Sequence, residues 1–252
     1  YVAWGSSLID YLPAWVVADG REVLSQRLQD ESIRQAIRTE IDEAVRNERH
    51  PLCAAPWDKV RIALVASPHN RPLEGLTIAQ IVTAQNRDPL DVVFDLLAEE
   101  RGAVKTLVFC VNEEDIRTIM QHPLTAIATD GRAVAPYGAL GQGRIRPRYY
   151  GTFPRVLGRY VYEENLLELE TAIHKMSLLP DQRIGLTDRG CIAPGMAADL
   201  VVFDPASVRD RATYEDPHQY PEGIAWVFIR GEAIVDHQEH TGALAGQVLT
   251  RR

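Results

Sequence analysis

Three cysteines, Cys53, Cys110 and Cys191, are all that 252 residues contain. None stands in a C-x-x-C, and no two of the seven histidines have metal-ligand spacing, so neither a disulfide framework nor a self-contained zinc site is expected. Scarce thiols fit a reducing, cytoplasmic setting. No apolar run approaches the roughly 20 residues that a membrane helix needs, and the first residues lack the charged-then-apolar order of a secretory leader. A membrane partner is therefore not expected. Basic blocks are missing as well: 27 Lys and Arg face 35 Asp and Glu, a formal net charge of -8. Nucleic acid, whose phosphates call for clustered cations, is excluded as the main partner. No strand-GxGxxG-helix or Walker pattern occurs, so Gly138, Gly141 and Gly143 mark a loop and not a phosphate cradle. The chain begins at Tyr1 and not at methionine, which reads as a processed or truncated piece of something longer.

The composition is that of an ordinary globular protein, 46% hydrophobic and 25% charged, enough for one barrel-sized domain or two smaller ones. Between Arg21 and Glu48, Leu24, Leu28, Ile33, Ile37, Ile41 and Val45 recur near helical spacing, and Asp30 is placed to cap a fresh helical start. Val60 to Val65 reads as a strand closed by Pro68, Asn70 and Pro72, with His69 in the loop after it. Thr77 to Thr83 and Pro89 to Glu100 read as helices, the second with Asp88 as cap and Pro89 at its first position. Glu163 to Leu178 reads as a helix closed by Pro180. From Arg189 onward the pattern is β: Leu200 to Phe203, then a hairpin of Ile224 to Ile229 and Ala233 to Asp236 around Arg230-Gly231-Glu232. Those strands are too few to close a sandwich alone.

One stretch carries the chemistry. Val104 to Val111 reads as a strand, Asn112 caps a helix from Glu113 to Gln121, and Leu124 to Asp130 reads as a second strand ending in Thr129-Asp130-Gly131. Strand, helix, strand makes a βαβ unit, which requires parallel pairing and a right-handed crossover. An acidic residue at the C-terminal end of such a strand faces the mouth of a β/α barrel, where acid/base or metal chemistry is done. Asp-Gly is equally the dipeptide of an ordinary turn. Further on, Arg144, Arg146, Arg148 and Arg155 lie among aromatics, either as a clamp for a carboxylate or as anchors pairing loops to acidic surface.

These motifs resemble the C-terminal half of the amidohydrolase superfamily, and within it the N-acyl-D-amino-acid deacylase (D-aminoacylase) family. Gly195 to Asp204 with the later hairpin is the generic part of the likeness. Thr129-Asp130-Gly131, the run from Arg146 to Tyr160 and the run from Glu215 to Ile224 are the specific part, and Tyr1, Leu8 and Leu12-Pro13 extend it to the start. The resemblance implies an α/β fold: residues 1–188 as the C-terminal portion of a metal-dependent hydrolase β/α barrel with a helical insertion, and 189–252 as the C-terminal part of a small β-sandwich domain. It implies zinc as cofactor and a small N-acyl amino acid as substrate, whose amide bond is hydrolysed. Asp130 would then be the carboxylate that takes a proton from metal-bound water and returns it to the leaving amine, a shared metal ligand as well, with Tyr1, Ser7 and Val111 on the substrate.

The family's His-x-His pair, bridging cysteine and two later histidines would all precede Tyr1, so an N-terminal half of the same enzyme is the expected partner. Arg146 stands where the family usually has histidine. Two other readings are open: a related cyclic-amide hydrolase of the dihydroorotase or hydantoinase kind, and a non-catalytic scaffold subunit derived from such a half.

Overall fold

Asp30 shows how local chemistry fixes the first elements. In the computed structural model, which describes residues 1–250, its carboxylate accepts from the backbone N–H of Ser32 (2.8 Å) and Ile33 (3.3 Å) and starts a 16-residue helix. The chain forms two compact units, one of residues 1–112, 137–146 and 214–216, the other of 113–136, 147–213 and 217–252. The division falls at Asn112, inside what the sequence presents as one strand-helix connection.

The first unit runs β1 (Trp4–Ser7), α1 (Ala14–Val17), α2 (Arg21–Arg27), α3 (Glu31–Arg46), β2 (Val60–Leu64), α4 (Ile78–Gln85), α5 (Pro89–Glu99) and β3 (Lys105–Val108). Asp88 caps α5 as expected, accepting from Leu90 N–H (2.9 Å) and Asp91 N–H (3.2 Å), and Pro89 occupies the first turn, where no N–H is needed. The core gathers Leu8, Val16, Leu28, Ile37, Phe94 and Leu97, all fully buried. Buried Glu100, just past α5, accepts from Ala66 N–H (2.6 Å), Ser67 N–H (3.0 Å) and Asn70 Nδ2 (2.8 Å), so one carboxylate ties down the loop after β2.

The sheet corrects the expected pairing. Its order is β1-β3-β2, and β3 is antiparallel to both neighbours, with Trp4 opposite Val108, Ser7 opposite Lys105 and Ile62 opposite Thr106. Beyond β2 the ladder continues through residues 75–77: Gly75 N–H donates to Ile62 O (2.8 Å) and Ile62 N–H to Leu76 O (2.9 Å). Both edges of β3 are thus taken by antiparallel partners, and among the described residues no βαβ unit forms with the chain after Gln121.

The second unit runs α6 (Glu113–Gln121), α7 (Arg148–Arg155), α8 (Leu169–Met176), α9 (Leu178–Ile184), β4 (Leu200–Phe203), β5 (Ile224–Ile229), β6 (Glu232–Asp236) and β7 (Glu239–His240). Leu124 to Asp130, expected as a strand, is irregular backbone. A strand needs a neighbour for its N–H and C=O groups. Here Ile127 N–H donates to Lys175 O (2.9 Å) and Ile127 packs on Met120, Val156, Tyr160 and Ala172, so the segment is held by a helix.

The helix expected from Glu163 to Leu178 begins only at Leu169, because α7 continues through a wide-turned stretch, Val156–Glu163, before the chain breaks. Pro180 does not close it but sits in the first turn of α9, which proline tolerates. Gly158 allows backbone contact: a Cβ there would meet the carbonyl of Val208 and lie 3.2 Å from Arg209 Cα. The β4-β5-β6-β7 sheet is antiparallel throughout, and Arg230 (φ +54°) and Gly231 (φ +82°) supply the paired positive dihedrals that tight hairpins favour. All six residues of β5 are only half-buried.

Candidate active site

Asp130 owes its position to the turn that holds it. The backbone is left-handed at φ +42°, and Thr129 Oγ1 accepts from Gly131 N–H at 3.0 Å, closing a tight turn that a following glycine accommodates. Its side chain is 84% exposed and paired with one cation, Arg148, whose Nη2 donates both to the carboxylate oxygen Oδ2 and to the Asp130 carbonyl (3.0 Å). Arg148, at the start of α7, is 18% exposed and lies 5.6 Å from the ring centre of Tyr149, with Arg132 5.7 Å from the same ring. Its Nε is buried with no hydrogen-bond partner among the described residues. A guanidinium has five donors; with Nη2 on Asp130 and Nε buried, Nη1 is left to receive a second anion.

The four arginines therefore divide, and neither reading of the cluster holds for all of them. Arg144 donates to the Glu215 carbonyl, and Arg155 pairs with Asp210 (3.3 Å) and Glu113 (3.7 Å), which are anchoring roles. Arg146 packs over Gly5, where an added Cβ would lie 3.0 Å from its guanidinium carbon. Only Arg148 faces the expected catalytic carboxylate, a role that the motif contained but that its spacing did not single out.

The same unit holds a denser charge network. Tyr160 Oη donates to Glu113 (2.6 Å), and Arg117 and Arg159 both bind Glu164, through Nε at 2.8 and 2.7 Å. Arg117 and Arg159 hold the Glu164 carboxyl down to about 2, and the hydrogen bond from Tyr160, with Arg159 and Arg155 nearby, keeps Glu113 below its ordinary value despite burial. These groups brace α6 against α7, and their charges are consumed among themselves.

Of the three expected substrate residues, the structure brings two together. Val111 N–H donates to Val2 O (3.2 Å), which sets Val111 beside the first residues, and Tyr1 meets Tyr214 edge-on at 6.2 Å. Ser7 lies at the other end of β1, about 20 Å along an extended chain from Tyr1, and its hydroxyl donates to Val104 O (3.2 Å). It lines a cavity of about 360 Å³ with Leu24, Leu64, Val65 and the cations Arg21 and Lys105. Asp130 belongs to the other unit.

For zinc the outcome is plain. Among the described residues no group of three His, Cys, Asp or Glu could hold a metal ion. His69 is paired with Glu99 (3.3 Å), and all three cysteines are free and exposed. The described residues by themselves do not fit the metal. No helix among them is long and apolar enough to cross a membrane.

An α/β chain whose acidic turn is backed by an arginine and framed by these motifs falls within a known group: it belongs to the Amidohydrolase family, whose profile matches residues 9–235. It is similar to the D-aminoacylase of Alcaligenes xylosoxydans xylosoxydans, 39% identical over 179 residues that make up 71% of this chain and 34% of that one. The crystal structure of a D-aminoacylase aligns with all of this chain and 41% of its own, at 31% identity and a TM-score of 0.70. The N-acyl-D-glutamate deacylase of Bordetella bronchiseptica, solved with zinc and a phosphonate mimic of the tetrahedral intermediate, aligns over 82% of this chain and 44% of its own, at 30% identity and a TM-score of 0.61. The chain spans about a third of the length of the curated relatives that it matches.

Proposed function

We propose that this chain is the proton-transfer and substrate-carboxylate part of an N-acyl-D-amino-acid deacylase. The observation that carries the reading is the Asp130–Arg148 pair: an 84% exposed carboxylate in a strained turn, with one oxygen on a guanidinium that keeps spare donors. Asp130 Oδ1, which makes no hydrogen bond among the described residues, accepts the proton of the attacking water, and the same carboxyl returns it to the departing amine, so that a free D-amino acid and a carboxylic acid leave. Arg148 receives the substrate carboxylate through Nη1, which fixes the scissile amide next to Asp130. Tyr1, Ser7 and Val111, all of the first unit, are the further residues proposed to meet the substrate.

The fold belongs to the same proposal: residues 1–188 complete a β/α barrel, 189–252 complete a small β-sandwich, and an N-terminal half of the same enzyme covers both and brings the zinc ligands. The half-exposed strands of the second sheet support this reading, since a finished sandwich would supply the face that covers them. The test is hydrolysis of N-acetyl-D-amino acids by the two halves assembled, with the L-enantiomers as control. Asp130→Asn is expected to lower kcat by about 10²–10⁴-fold. An inactive assembly, or full activity in that variant, would remove the assignment.

A further inference from the structure

Lys175 is the most deeply buried charged side chain among the described residues, 2% exposed. Its ammonium faces no carboxylate of those residues within ion-pair distance. Nζ instead donates to two backbone carbonyls, His122 O and Thr125 O (3.1 Å), while its own carbonyl accepts from Ile127 N–H (2.9 Å). One residue of α8 thus makes three bonds to the six residues 122–127. Those residues follow the C-terminus of α6, where unsatisfied carbonyls and the negative end of the helix dipole favour a cation. They also lead to Asp130, only three residues beyond Ile127, about 10 Å of extended chain.

This arrangement is an expensive way to pack a helix. Burial pushes the Lys175 ammonium below the usual lysine range, and a buried charge with no counter-ion is disfavoured relative to a methionine of the same length. What the lysine alone provides is donors for a stretch of backbone that has no strand beside it. We infer that Lys175 is a positioning residue: it clamps residues 122–127 to α8 and so holds the Asp130 carboxylate in register with Arg148. The inference rests on the proposed role of Asp130 and names the device that fixes it.

Lys175→Met in the assembled enzyme tests this. Amide exchange across 122–131 is expected to speed at least about tenfold while α7 and β5 keep their protection. The expected kinetics are a fall in kcat of about 10²-fold, the scale of an ångström of misplacement, with KM within about twofold. Thermal stability should hold or rise, because a buried charge has been removed; a merely structural lysine would do the reverse, lowering the melting temperature while leaving kcat. Lys175→Arg, which keeps the donors, should recover part of kcat. Unchanged exchange in 122–131, or unchanged kcat, overturns the inference. If the methionine variant loses protection throughout α8, Lys175→Gln is measured instead: faster exchange and lower kcat support the clamp, and no change in either overturns it. Full activity in Asp130→Asn would instead sink the proton-transfer reading, and the exchange result would still decide whether Lys175 is the clamp.

Discussion

Acidifying the protein should expose the worth of Glu164. Its carboxyl sits between Arg117 and Arg159 and is held at about 2, against an ordinary 4.5. A carboxylate whose folded value is depressed stabilises the fold fully above its unfolded value and loses that contribution as pH falls through the folded one, here from about 4.5 down to about 2. At about 1.4 kcal/mol for each unit the unscreened contribution would be about 3.4 kcal/mol. The side chain is 25% exposed, however, and solvent and salt screen such pairs, so about 1–2 kcal/mol is expected to survive. Glu164→Gln imitates the protonated state. Urea unfolding of both proteins from pH 7 to pH 2.5 should show the variant less stable by that amount near neutrality, with the two curves converging as the acid limit is approached. A gap that stays constant over the range, or widens on acidification, would show that Glu164 acts through packing and refute the ion-pair account.

Other positions give sharper structural tests. Thr106 is buried with an unpartnered hydroxyl among the described residues, so Thr106→Val should stabilise by about 1 kcal/mol in thermal unfolding. Gly223 sits at φ +82° with an added Cβ 2.5 Å from Val208 N, and Gly223→Ala should lower stability by about 2–4 kcal/mol in the same assay. Glu100→Ala strands the donors of Ala66, Ser67 and Asn70, with about 3–5 kcal/mol lost in urea unfolding and faster amide exchange at Ala66 and Ser67.

Caps and periodicities were legible from the residues alone. Asp30, Asp88 and Pro89 start their helices where a side chain or a missing N–H dictates, and Arg230-Gly231 turns its hairpin, because each is settled by groups within four residues of one another. The motif around Asp130 likewise carries the family kinship in residue type and order. What the residues could not reveal is which strand pairs with which: an apolar run such as Leu124 to Ile127 has the same pattern whether it lies in a sheet or against a helix.

The sequence by itself therefore determined the helix caps, the hairpin and the kinship, and singled out Asp130 for the proposed chemistry, since these depend on residue type and short spacing. Only the tertiary structure decided that β3 is antiparallel to both neighbours, that Arg148 alone of its cluster meets Asp130, and that a buried lysine bonds the carbonyl of His122 fifty-three positions away. Those outcomes turn on which distant groups satisfy one another once water is excluded, a competition that no single stretch of chain contains.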